Sequence, residues 1–234
     1  MIVGDLKPLE EIAPSISTFR KVLVVGCGSC VTVCLSGGER EAQGLARELA
    51  YIKHYKSDPP TFNVAVIERQ CEHDLVRSYL EIPPETDAIL SLACGAGVQT
   101  VADVFEPLPA IPALNTTFIG AADEPGVWNE KCRGCGDCVL TYTAGICPVA
   151  RCAKSLYNGP CGGSEEGHCE IDFDVPCAWS LIFYRLKKQN KLHILEEIME
   201  PRDWRPGGGK GPRERKRTGI GGSPGDYGLT HPTV

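Results

Sequence analysis

The chain has 234 residues, thirteen cysteines and a formal charge of −6. That length holds one large domain or two small ones with cores of their own, so cross-links are not required for stability. The tail from residue 205 carries six Lys or Arg against two acidic residues, leaving about −10 on the rest, and an acidic body excludes nucleic-acid binding as the main role.

The first twenty residues include Asp5, Lys7, Glu10 and Glu11 and no apolar leader. No stretch approaches the roughly 18 uncharged apolar residues of a membrane span, so a cytoplasmic location with reduced thiols is expected. Residues 22–25 are a short apolar run ending at Gly26, and Ala42, Leu45, Ala46, Leu49 and Ile52 then recur at helical spacing within residues 37–56. Residues 63–67 read as a second strand, 72–80 as a helix, 88–92 as a third strand and 97–105 as a helix. After Pro107, Pro109 and Pro112, the run 116–119 is expected to complete a parallel sheet. This alternation predicts an α/β fold that begins with a small doubly wound parallel-sheet domain over residues 15–125.

Five cysteines follow the predicted strands: Cys27, Cys30 and Cys34 after the first, Cys71 after the second and Cys94 after the third. Open α/β sheets bind ligands at the carboxyl ends of their strands, so these thiols should converge on one crevice. A four-iron, four-sulfur cubane needs four ligands. Cys27 and Cys30 are the first pair and Cys94 the next, while Cys34 and Cys71 compete for the last place. Two other motifs lack their partners. Gly26-Cys27-Gly28 has no third glycine for a dinucleotide fingerprint, and Leu35-Ser36-Gly37-Gly38-Glu39 has no phosphate loop to accompany it. The second motif reads as a glycine turn that lets a helix start close to the cluster. Cys27-x2-Cys30-x3-Cys34 reverses the order of radical S-adenosylmethionine enzymes, which sets that class aside.

The other eight cysteines fall between Cys132 and Cys177. Cys132-Arg-Gly-Cys135-Gly-Asp-Cys138 places three thiolates at successive x2 spacings, with small residues that let the loop curl around a cluster corner. Cys147-Pro148 fits the same scheme, because the ring keeps a helix from capturing the ligand loop. Cys152, Cys161, Cys169 and Cys177 complete eight ligands, the number two cubanes need. By the two-cluster ferredoxin pattern the cysteine before proline joins the other cluster, so Cys147 would group with Cys152, Cys161 and either Cys169 or Cys177. Zinc competes for one of these sites, since four-cysteine zinc tolerates long loops such as the one from Cys161 to Cys169; His168 within it reads as a solvated loop histidine. Residues 126–204 are therefore expected to form a cysteine-rich, loop-rich, ferredoxin-like iron–sulfur domain.

That domain closes with a helix over 178–188 whose Trp179, Ile182 and Leu186 share one face, extended by Leu192, Ile194 and Leu195. From residue 205 the glycine runs and scarcity of apolar residues predict a disordered basic tail over 205–234.

The segment from Lys131 to Leu140, then Gly145-Ile146-Cys147-Pro148-Val149-Ala150-Arg151-Cys152, Asn158-Gly159-Pro160-Cys161 and Cys177-Ala178-Trp179, closely resembles the methylenetetrahydrofolate reductase C-terminal domain family. The resemblance extends to the motifs around Cys27, Cys71 and Cys94 and covers residues 20–205. Members occur as a small subunit beside a flavin-containing folate reductase subunit in acetogens and related anaerobes, and as fused forms. The family is described both as zinc-binding and as iron–sulfur. The resemblance implies an electron-transfer subunit with two to three 4Fe-4S clusters, fed by a ferredoxin or a larger complex and delivering electrons to FMN on the partner subunit. No folate or flavin site is evident in the chain itself. The alternative role is a zinc-binding structural scaffold of the same complex.

Overall fold

The structure is a computed structural model and describes residues 1–52, 60–208 and 212–214. In chain order the elements are β1 (Ile2–Leu6), α1 (Leu9–Ile16), β2 (Lys21–Cys27), α2 (Cys30–Val33), α3 (Glu39–Tyr51), β3 (Thr61–Ile67), α4 (His73–Tyr79), β4 (Ala88–Leu92), α5 (Gly95–Val104), β5 (Ala110–Pro112), β6 (Leu114–Glu124), β7 (Val127–Cys132), α6 (Pro148–Arg151) and α7 (Ala178–Lys188). The part of the expected first helix beyond Ile52, and most of the expected disordered tail, lie outside the described residues.

Strands β3, β2, β4 and β5 lie side by side in that order, all parallel. Strand β2 is apolar at every position from Val22 to Val25 because both its faces are covered. Val22 and Val24 pack with Ile12, Ile16, Leu45 and Leu49 of α1 and α3. Leu23 and Val25 pack with Val76 and Val101 of α4 and α5. A strand buried on both faces reads as a continuous hydrophobic run, which is why this part of the α/β fold is visible in the sequence. The chain reverses direction across the sheet between β2 and β4, and such a switch point opens a crevice beyond the strand ends.

One strand assignment is corrected. The fourth parallel strand is Ala110–Pro112, and residues 116–119 lie instead within β6, which pairs antiparallel with β1 and β7 in a second sheet. Two physical features explain the difference. Pro112 is tolerated because β5 is an edge strand, and Asn115, Thr116 and Thr117 are exposed, as suits a sheet with one face in water. Strand β1 and helix α1 occupy the first twenty residues, where the charged side chains concealed them. The β6–β7 hairpin crosses the boundary expected at residue 125.

Helix α7 spans the expected residues, and Trp179, Ile182 and Leu186 are buried with Ile146 in a small third core. The extension is a 3-10 helix, Leu192–Glu196, separated from α7 because Asn190 takes a left-handed φ of 54°.

The start of β2 is held by Asp87, whose Oδ2 accepts the backbone N–H groups of Arg20 at 2.8 Å and Lys21 at 2.9 Å. These two bonds, and then the nearby Lys21 and Arg20 charges, hold its carboxyl below the ordinary value of 3.8. A depressed folded-state value means that Asp87 contributes stability above the ordinary value and loses it as pH falls through the depressed one. Asp87→Asn should therefore lower the melting temperature at pH 7 and leave it nearer to wild type at pH 3, as followed by thermal circular dichroism.

Candidate metal centres

The loops after β2, β3 and β4 are tied to one another by their backbones. Gly28 N–H donates to Ile67 O at 2.8 Å, Ser29 Oγ to Glu68 O at 2.8 Å, Thr32 Oγ1 to Cys27 O at 2.7 Å and Cys27 N–H to Gly37 O at 2.9 Å. Gly37 passes so close to the end of β4 that a Cβ there would lie 2.2 Å from Leu92 O, so only glycine fits. The next residues start α3, where Glu41 reaches back to the Gly38 N–H at 3.0 Å. The glycine turn thus brings a helix start up to the strand ends, as its sequence suggested.

Beneath the loops lies Gln70, fully buried and unnoticed in the sequence as a structural residue. Its Nε2 donates to Val25 O at 2.9 Å and its Oε1 accepts from Ser91 Oγ at 2.6 Å. One amide therefore joins β2 and β4 from the loop that carries Cys71. Gly97 of α5 packs against it, since a Cβ there would lie 2.9 Å from Gln70 Cβ and 2.7 Å from Ala93 Cβ. On the other side of Cys94, Gly95 N–H donates to Thr116 Oγ1 at 2.9 Å.

Three of the other N-terminal thiols act electrostatically on Cys71. Partial desolvation, followed by the charges of Cys94 and Cys27 and a smaller contribution from Cys30, raises the Cys71 thiol above its ordinary value although the residue keeps an exposed edge. Cys34 is not among the thiols that act on Cys71. It is buried in the main core, as Cys27 is, with its sulfur 3.1 Å from Ser36 Oγ and near the Val31 and Gly4 carbonyls.

Cys132 ends β7, opposite Ile119 of β6. The loop beyond it turns through Gly134 and Gly136, at φ of 61° and 83°, conformations that favour glycine. Gly134 N–H points at Cys132 Sγ at 3.3 Å. Cys138 is exposed and lines a cavity of about 750 Å³ walled by Tyr142, Tyr157, Trp179 and Phe183. Pro148 occupies the first turn of α6, where its missing N–H costs nothing, and Cys147 stays outside the helix as its cap. Helix α6 packs on β7, which carries Cys147 toward the strand that ends at Cys132.

Cys152, Cys161, Cys169 and Cys177 line one small cavity of about 20 Å³ together with Lys154 and Glu170. Cys169 and Cys177 are both in its lining, and Cys147 is not. The Lys154–Glu170 ion pair borders this group, and Glu170 Oε1 also accepts from Cys161 Sγ at 3.0 Å. That pairing, followed by the Cys161 and Cys169 thiols, raises the Lys154 ammonium. Cys177 caps α7. Burial pushes its thiol up, but the N–H groups of Ser180 and Trp179 and the hydroxyls of Ser180 and Ser164 together outweigh it and hold the thiol below its ordinary value. His168 stacks on Phe173 with ring centroids 4.6 Å apart.

Among the described residues, no three or more His, Cys, Asp and Glu side chains are close enough to hold one metal ion as they stand. The donor chemistry fits a cubane in two respects: the grouped ligands are thiols carried on loops, and backbone N–H groups point at Cys132 and Cys161 from Gly134 and Gly163.

Residues 111–205 match the family model described as methylene-tetrahydrofolate reductase C terminal. The match covers all eight C-terminal cysteines and begins beyond the five N-terminal ones. No curated protein and no solved structure matches the chain. No helix among the described residues is long and apolar enough to cross a membrane.

The scaffold itself can be tested without a metal. Gln70→Leu strands the Val25 carbonyl and the Ser91 hydroxyl in the interior, at about 1–3 kcal/mol for each unpaired group. Urea unfolding should show that loss, and Ser91→Ala in the same chain should recover part of it, because the two substitutions share one hydrogen bond.

Proposed function

We propose, with the family match of residues 111–205 as premise, that the chain is an iron–sulfur electron-transfer subunit that passes electrons to the flavin of a partner methylenetetrahydrofolate reductase subunit. The observation that carries this reading is the placement of Cys27, Cys30, Cys71 and Cys94 at or just beyond the carboxyl ends of three neighbouring parallel strands, with Cys71 near enough to feel the other three thiols. Backbone bonds and a buried amide hold the loops that carry them, and these four thiols are the ligand set the reading assigns. Under this reading twelve cysteines fall into three groups of four. The first is Cys27, Cys30, Cys71 and Cys94; the second Cys132, Cys135, Cys138 and Cys147; the third Cys152, Cys161, Cys169 and Cys177. Cys34 remains a core thiol.

A cubane supplies a one-electron store when bound. The chain's own residues orient the thiols, shield them from water on the core side and leave Cys71, Cys132, Cys138 and Cys161 at exposed edges, where a donor or acceptor can approach. The folate chemistry and the FMN belong to the partner subunit, and electrons enter from a ferredoxin or a larger complex. The small volume enclosed by Cys152, Cys161, Cys169 and Cys177 favours a second reading for that site alone, structural zinc, since a single ion needs less room than a four-iron, four-sulfur cube.

Metal analysis of anaerobically purified chain decides between these readings. About eight to twelve irons with matching acid-labile sulfide, and paramagnetic signals after dithionite reduction, are expected. One or two zincs with little iron would make the chain a scaffold instead. The chain alone should not reduce methylenetetrahydrofolate, and turnover by it alone would refute the division of labour.

The ligand assignment has its own check. Cys71→Ser should remove about four irons per chain, whereas Cys34→Ser should keep the full complement. The opposite pattern would exchange the roles of the two cysteines.

A further inference from the structure

Residues beyond the 3-10 helix Leu192–Glu196 close over the loop that carries Cys135. Asn158 Nδ2 donates to Met199 O at 3.1 Å, and Tyr157 OH donates to Glu200 O at 3.0 Å while accepting the Arg202 backbone N–H at 2.6 Å. Pro206 presses on Gly136, and Gly207 passes so close to Cys135 that a Cβ would lie 2.7 Å from its carbonyl oxygen. Arg202 is thereby driven inward. Its side chain is 1 % exposed, one face lies 4.6 Å from the Trp204 ring, and Nη2 donates to Cys135 Sγ at 2.9 Å and also to Asp137 O. Nε and Nη1 are buried without a hydrogen-bond partner.

Burying a guanidinium with two unpaired N–H groups is costly unless a compensating negative charge lies beside it. The nearest carboxylate, Asp137, is 3.9 Å from Nε and itself 57 % exposed, too solvated to balance a buried cation. Among the described residues, the other group capable of carrying negative charge that its hydrogen bonds reach is the Cys135 sulfur.

We propose that Arg202 is a positioning residue that raises the reduction potential of the cluster ligated through Cys135. The inference rests on the electron-relay reading and assigns this residue a role within it. Under that reading reduction would bring one electron to the cluster from the donor, and reoxidation would pass it on to the partner's flavin, with no bond made or broken. The added negative charge is stabilised by a fixed cation hydrogen-bonded to a ligand sulfur, and hydrogen bonds and net charge are two of the factors that set such potentials. The Arg202 side chain is shut away from water, which keeps the guanidinium's influence strong.

The test uses full-length, anaerobically purified holoprotein, with iron content and a redox titration followed by electron paramagnetic resonance. Arg202→Gln removes the charge and retains a hydrogen-bond donor. Iron should be unchanged while one signal titrates at lower potential. At fixed ambient potential its ratio of reduced to oxidised cluster should fall at least about tenfold, equivalent to 59 mV for one electron. Arg202→Lys, which keeps the charge, should shift less than half as far. Full iron with unmoved potentials in Arg202→Gln overturns the proposal. Where Arg202→Gln fails to retain iron, wild-type protein labelled with nitrogen-15 arginine carries the test. Its reduced cluster should show a nitrogen coupling that is lost in Arg202→Lys, and absence of that coupling in the wild type overturns the proposal. Zinc in place of iron in the wild type overturns the relay reading, and this inference with it. The iron measurement distinguishes that result from failure of the inference alone.

Discussion

Ionised thiols repel one another, and a chain that gathers them must hold their loops together by other means. In this protein the restraint comes from the parallel sheet. Its strands deliver successive loops to one edge, and the Gln70 amide, the Gly28, Ser29 and Cys27 hydrogen bonds and the tight Gly37 crossing fix how far apart those loops stand. The raised Cys71 thiol reflects that restraint, because desolvation and its neighbours both oppose its ionisation. Under the proposed reading, a metal centre would relieve the opposition by taking the place of the protons, which would couple ligand binding to proton release at this edge.

The C-terminal part gains less from its core. Ile146, Trp179, Ile182 and Leu186 are its buried hydrophobic cluster, and much of the chain between Cys132 and Cys177 is loop. Several of these loops turn through glycines at positive φ, among them Gly134, Gly136, Gly145, Gly162 and Gly167. Few apolar side chains serve many irregular residues, a balance typical of domains whose ligand cross-links supply part of the folding free energy.

The sequence displayed the elements whose patterns are strong and local. Strand β4 and helix α7 coincide with their expected spans because an apolar run interrupted only by Ser91 and a 3.6-residue stripe are strong local signals. Strand β1 has five residues, including Gly4 and Asp5, and acquires its meaning only by pairing with β6 more than a hundred residues away. The same long-range pairing drew residues 116–119 out of the parallel sheet. Position after a strand marked Cys27, Cys30 and Cys94, but it could not tell that Cys71 would feel those three thiols while Cys34 turned toward Ser36 and the Val31 and Gly4 carbonyls. Gln70 and Arg202 were illegible for another reason. A buried polar side chain is defined by partners distant in sequence, and its residue type alone suggests an exposed position.

Strand β6 begins beside one cysteine group and leads to the next. Thr116 receives the N–H that follows Cys94, and Ile119, three residues on, faces Cys132 across the hairpin. At about 3.4 Å per residue the step along the strand is on the order of 10 Å. The spacing between the two groups is therefore set by covalent chain geometry within a hydrogen-bonded ribbon, not by how two bodies happen to dock. It also makes the protein resistant to modular exchange. A chain severed at residue 125 would leave β7 as an unpaired edge and detach Cys132 from the strand that measures its distance to Cys94, so the two halves have to be engineered as one piece.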